Sequence, residues 1–193
     1  PPDLGFLAGY LAAVVTDEWR VGAITTDDPG EGVAYRQGFL NGVVFFCGLC
    51  QPTYPPFSAY PLAVSLPRNS SQIEWQTAAD TLIDQAVKTV FIAPGAGDST
   101  LVEYLTQSGL AVIGTSPPPP GAASQWVATI STDITPILQS TWAELTAGRS
   151  GLSIFLPLSV TDINPQLLTP GRLVEELIVD IQAGFVNPGV EWP

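Results

Sequence analysis

Between Trp19 and Val43 the chain reads WRVGAITTDDPGEGVAYRQGFLNGV: a short apolar run, a tight polar turn and a long helix in immediate succession. No other stretch constrains the fold as much. Val21, Ala23 and Ile24 suit a strand buried on both faces, as the strands of a parallel sheet are. At Asp28-Pro29-Gly30-Glu31 the pattern becomes a helix start. Asp28 can accept from first-turn N–H groups, Pro29 needs no donor there, and Glu31 stands where a capping box places a carboxylate. Beyond it Val33, Arg36, Gln37, Leu40, Val43 and Val44 recur at helical spacing. Gly38 and Gly42, four apart, are expected to bring this helix close to the sheet. In open α/β sheets such a strand-to-helix turn lies at the edge where ligands bind.

The rest of the chain repeats this unit. Leu4 to Val15 is apolar on nearly every face, with Gly5 and Gly9 one turn apart, and reads as a helix buried against neighbours. After the first strand and helix, CGLCQPTYPPFSAYP is too rich in Pro and aromatic residues for regular structure and reads as a long connecting loop. Further strands are expected at Leu62–Leu66, Lys88–Ala93, Leu110–Gly114 and Trp126–Ser131, with a last candidate over Leu152–Leu158. Helices are expected over Gln72–Gln85, where Ser71 and Glu74 form a capping box, and near Ser99–Gln107. Two more start at Thr135-Pro136 and Thr169-Pro170, and stop before Gly148 and Gly184. On the last of them Leu173, Val174, Leu177, Ile178 and Ile181 share one face. Pro117 to Pro120 forbid helix and favour a stiff extended segment. Alternating strands and helices specify the α/β class, here a mostly parallel open sheet with helices on both faces, and no linker divides residues 1–193, so a single lobe is expected.

If the strands are parallel, their exits gather on one edge and supply the candidate ligand contacts. These are Thr25, Thr26 and Asp27 after the first strand, and Arg68 and Asn69 after the second. Gly95, Ala96, Gly97 and Asp98 follow the third, and Thr115 and Ser116 the fourth. The glycine turn lets a ligand approach the backbone closely, and Asp98 also reads as a helix cap. Gly95-x-Gly97 lacks the third glycine of a dinucleotide fingerprint, because Thr100 stands there, and no acidic residue ends the next strand.

Charge and composition exclude much else. Lys and Arg total 6 against 18 Asp and Glu, a formal net charge of −12 that repels nucleic acid. The single Lys, Lys88, precedes a strand at the far end from the expected site. With no His in the sequence, Ser-His-Asp and Cys-His catalysis and His-ligated zinc are ruled out, and no metal or other cofactor is implied. No apolar run approaches the ~20 residues that span a bilayer. The chain shows neither a starting Met nor a signal peptide, so Pro1 is not expected to be the natural N-terminus. Cys47 and Cys50 form a lone C-x-x-C, readable as a local disulfide, a redox motif or half of a zinc site. The pair closes a helix at its C-terminal end, where the dipole has the wrong sign for a reactive thiol, so a structural disulfide or an inert reduced pair remains.

Five segments in order and spacing, GFLAGYLAA (5–13), VGAITTDDPGEGVAYRQGFLNGV (21–43), AADTLIDQAVKTVFIAPGAGDST (78–100), LAVIGTS (110–116) and VEELIVDIQAGFVNPGV (174–190), resemble the basic membrane protein family. These are purine-nucleoside-receptor-like substrate-binding proteins of ABC transporters with a type 1 periplasmic-binding fold. The resemblance corresponds to that family's second lobe and C-terminal return. It implies an extracytoplasmic receptor, periplasmic or a cell-surface lipoprotein, that is not an enzyme. Such a receptor holds a nucleoside- or sugar-like solute between this lobe and a missing first lobe, and delivers it to an ABC permease. The alternative is a single-lobe structural or protein-interaction module without solute binding, which would expose an apolar patch to a partner or to a second copy in a homodimer.

Overall fold

The structure is a computed structural model that describes residues 2–132, 134–148 and 157–189. Its elements are α1 (Pro2–Val15), β1 (Val21–Thr26), α2 (Glu31–Cys47), β2 (Leu62–Leu66), α3 (Gln72–Asp84), β3 (Thr89–Ile92), α4 (Ser99–Gln107), β4 (Ala111–Gly114), β5 (Trp126–Thr132), α5 (Thr135–Thr146), β6 (Leu158–Thr161) and α6 (Leu168–Gln182). Among the described residues the strands form one six-stranded sheet in the order β2-β1-β3-β4-β5-β6. The first five are mutually parallel and β6 runs antiparallel to β5. The expected strand over Leu152–Leu158 falls largely outside the described residues; the described strand starts at Leu158.

This order reverses direction after β1, since α2 carries the chain outward to β2 and α3 carries it back past β1 to β3. Right-handed crossovers then place α2 and α3 on opposite faces of the sheet. One layer is built from α1, α2 and α6 and the other from α3 and α4. Between them β1 and β3 are buried along their whole length, Val21, Ala23 and Ile24 against Val90 and Phe91, as the apolar runs require.

The α1–α2 contact corrects two expectations. Gly38 and Gly42 do not face the sheet. They face α1, where an added Cβ would lie 2.2 Å from the Pro2 carbonyl oxygen and 2.0 Å from that of Phe6. Reciprocally, a Cβ on Gly5 or Gly9 would meet the carbonyl oxygens of Tyr35 and Phe39 at 2.4 and 2.1 Å. Two four-residue glycine spacings therefore interlock backbone against backbone, with the helices side by side in the same direction. This contact also turns α2. Its buried stripe is Gly32, Tyr35, Gly38, Phe39, Asn41, Gly42 and Val43, while Val33 of the expected face is exposed. The start of α2 differs as well. It begins at Glu31, after Gly30, and no capping box forms; Glu31 instead reaches Arg68 at 3.4 Å. Asp28 still accepts from the Gly32 N–H at 3.1 Å.

At the opposite edge of the sheet, Cys47 and Cys50 are disulfide-bonded, and Cys50 bridges to Tyr60 across the irregular loop. Arg20 organises this end, a role its sequence position did not announce. It is buried, pairs with Glu18 at 2.7 Å, and donates to the Tyr54 and Pro55 carbonyls at 2.8 and 3.2 Å. A loop of this composition holds one shape because a buried guanidinium gathers its carbonyls.

Candidate functional site

Parallel strands bring the exits of β1 to β4 to one edge, and each exit there is fixed by local chemistry. After β3, Gly95 and Gly97 adopt φ of +78° and +72°, a left-handed conformation that other residues rarely take. Asp98 then caps α4, its Oδ1 accepting from the Thr100 and Leu101 N–H groups at 2.9 and 3.3 Å. The Thr100 hydroxyl, which also donates to Asp98, and these N–H groups hold the Asp98 carboxyl below its usual range. After β4, Gly114 carries the ring of Trp126, whose atoms come within 2.3 Å of where a Cβ would stand. That ring is oriented by its Nε1–H donating to Thr129 at 3.1 Å, and the Thr129 hydroxyl donates to Asp162 at 2.8 Å.

Together these exits enclose a pocket of about 250 Å³. Gly95 to Ser99 and Gly114 to Ser116 line one part of it; Ile92, Val102, Pro117, Pro119 and Trp126 supply an apolar wall. The only ionisable side chain among its lining residues is Asp98, whose carboxylate is already engaged by the N-terminus of α4.

The structure divides the expected contacts. Gly95, Ala96, Gly97, Asp98, Thr115 and Ser116 come together in this pocket. Arg68 lies in a smaller neighbouring depression with Ser70, Gln72, Trp75, Gly97 and Asp98. Its guanidinium spans the crevice between β1 and β3, where the strand order reverses. It reaches Asp28 at 3.5 Å and Glu31 at 3.4 Å, and lies 3.0 Å from the Cβ position of Gly95. The ordinary ligand position of an open sheet is thus crossed by an ion-paired side chain, and the open pocket lies one strand further on. Asp28 is pushed down to about 2, first by the Thr26 hydroxyl that donates to it, then by the Gly32 N–H, with Arg68 contributing less. Asp27 and Asn69 are exposed on the rim. Thr25 and Thr26 are buried beneath it, with the Thr25 hydroxyl 2.8 Å from Ser65 and that of Thr26 on Asp28.

Trp126, Val102 and the prolines were not expected as lining residues. Pro117 to Pro120 are stiff enough to stand as a wall, and Gly114 at a strand end leaves room for a large ring from the neighbouring strand. Those were the available signals. Among the described residues, no three Cys, Asp or Glu side chains gather where they could hold a metal ion.

No protein-family model matches the chain. No curated protein matches it in sequence. Solved structures do. An ABC transporter solute-binding protein from Aeropyrum pernix K1 aligns with 96% of the chain at TM-score 0.66 and 14% identity. A transcriptional activator of the comK gene from Bacillus halodurans aligns with 95% at TM-score 0.69 and 15% identity. A Mycobacterium smegmatis protein aligns with 94% at TM-score 0.53 and 11% identity. In each case the chain spans 64% of the neighbour's length, less than two thirds. At these identities the likeness is one of fold: the chain has the α/β architecture found in solute-binding proteins.

Proposed function

We propose that the chain is a solute-binding lobe of an extracytoplasmic ABC-type uptake system, related to the basic membrane protein receptors, and that its pocket takes an uncharged nucleoside- or sugar-like molecule. The observation that carries this reading is the pocket itself. An apolar wall of Trp126 and prolines faces residues from two strand exits, and the one ionisable side chain lining it, Asp98, is engaged in capping α4. Such a surface suits a ring with one apolar face and hydroxyl or amide edges, and no Lys or Arg lines it to pair with an anion. The glycine turn supplies backbone donors, and the α4 N-terminus adds a favourable dipole for oxygen atoms.

The chain spans 64% of the Aeropyrum pernix solute-binding protein, which leaves room for a further lobe; in this reading the lobes close on the solute and an ABC permease is the partner. A receptor of micromolar affinity corresponds to about −8 kcal/mol, and a half-site to about −4, or millimolar. The test is an NMR titration of the chain with purine nucleosides and hexoses. Weak binding that shifts the amides of Gly95–Asp98 and Thr115–Ser116, and is lost in Val102→Trp, which fills the pocket, is the expected result. No shift with any of them at about 10 mM would overturn the assignment.

A further inference from the structure

The sheet edge opposite the pocket carries an apolar surface that the solute-binding reading does not use. From Gln37 to Pro67 the sequence contains no Asp, Glu, Lys or Arg, although the chain as a whole is acidic. Within that span Phe45 and Phe46 are half-exposed at the end of α2, and Leu49, Tyr54 and Phe57 stand 85, 67 and 73% exposed on the following loop. These are not loosely hung side chains. The loop backbone is tied down by the Cys47–Cys50 disulfide, by the Cys50–Tyr60 bridge, and by Arg20 donating to the Tyr54 and Pro55 carbonyls. Phe45 and Phe46 are steadied by Phe6 and Tyr10, with ring centroids 5.3 and 5.6 Å apart. The fold therefore uses buried polar groups to hold large apolar side chains outward, against the direction in which the hydrophobic effect drives them.

We propose that this end of the molecule docks on a lipid surface, with Leu49, Tyr54 and Phe57 inserted into the interfacial layer. Charge argues for neutral, zwitterionic lipid. A net charge of −12 is repelled by an anionic bilayer, and the nearest guanidinium, Arg20, is buried beneath the loop and paired with Glu18. Shape and area argue against a protein occupant. A stable dimer covers about 800 Å² on each copy with twenty or more residues, which five side chains do not supply, and two such acidic copies repel one another. Separately projecting side chains need a matching concavity in a folded partner, whereas a fluid interface accommodates them as they are. Aromatic rings with one polar edge, as on Tyr54, suit the headgroup level. Docking by this edge would leave the pocket facing away from the membrane, but the inference stands on the loop alone and does not depend on what the pocket binds.

The test is co-flotation of the chain with vesicles of pure phosphatidylcholine, and with vesicles of an equal mixture of phosphatidylcholine and phosphatidylglycerol. Association with the first at millimolar lipid is expected, falling with the second and recovering when salt screens the repulsion. The double variant Leu49→Ser, Phe57→Ser should lose more than about tenfold in partitioning. Trp142→Ser, which alters an exposed apolar residue on α5, should lose nothing. As a readout that does not depend on the double variant folding, Tyr54→Trp should gain a vesicle-dependent blue shift in emission beyond that of the wild-type chain. Failure of the wild type to float, equal flotation of the double variant, or a stable dimer abolished by that variant would each overturn the proposal.

Discussion

The two helical layers on this sheet are packed by different means. In the α1–α2 layer, glycines let main chain touch main chain, and a Cβ at Gly42 would stand 2.0 Å from a carbonyl oxygen. Across the sheet, the nearest atoms to a Cβ at Gly22 of β1 would be the Leu82 methyl groups of α3 at 3.2 and 3.3 Å and Val87 at 3.4 Å. The first layer is held by backbone shape, which cannot yield. The second is held by side chains and helix caps: Trp75, Leu82, Leu101 and Leu105 are buried, Ser71 and Asp98 cap, and the Tyr104 hydroxyl on α4 donates to Asp80 on α3. The pocket uses the start of α4, in this second, more adjustable layer. The pocket rim is thus separated by the sheet from the part of the core that tolerates no adjustment.

The sharpest way to break this contrast is Gly42→Val. It should cost about 3 kcal/mol or more, or abolish a cooperative urea transition, because α1 and α2 must separate. Gly22→Ala should change stability by less than about 1 kcal/mol, since Leu82 can shift; equal damage at the two glycines would erase the distinction. Next in size is Leu82→Ala, expected to cost about 2–4 kcal/mol while leaving a folded chain. In that background Gly22→Ala should become neutral or stabilising, a coupling that a double-mutant cycle measures. Removing either cap, Ser71→Ala or Asp98→Ala, should cost about 1 kcal/mol by urea denaturation.

The smallest effect is titration of Asp28, which with Glu31 meets Arg68 at the rim beside α2. The ordinary value of Asp28 is 3.8 and its folded value is about 2, so its contribution is fully present above the first and is lost as pH falls toward the second. Denaturation of the wild type and of Asp28→Asn should differ most above pH 4 and converge near pH 2. A gap independent of pH would show that the hydroxyl and N–H contacts to Asp28 do not favour its charged form.

The positions and parallel order of the first five strands, the α3 capping box and the Asp98 cap were legible in sequence because each rests on contacts within a few residues or on simple alternation, whereas β6, antiparallel over Leu158–Thr161, was not. So was the apolar face of α6, where Val174, Leu177 and Ile181 are buried as spaced. The face of α2 was not. Helical spacing says which residues share a side but not which side meets a neighbour, and Gly38 and Gly42 fit equally well against a sheet or against another helix. Only the matching pair Gly5 and Gly9 in α1 identified the partner, and two patterns must be paired before that is visible. Arg20 was missed for a related reason: the contacts by which it holds the loop are to the backbone carbonyls of Tyr54 and Pro55, which leave no trace in residue identity. For the site, the glycine turn could be read directly. The Trp126 wall could not, since it depends on a register shift between β4 and β5 at Val112 and Ile113.

The strand order places β2 at the end of the sheet, with Leu62-Ala63-Val64-Ser65-Leu66 uncharged throughout. A border strand of that composition offers its outward main-chain groups as a template on which a foreign chain can polymerise. Pro61 and Pro67 flank it and withhold a donor at either end, which limits any such growth to five residues. Replacing both prolines would lengthen the exposed ribbon, so these two residues, which line no part of the pocket, act as gatekeepers of colloidal stability.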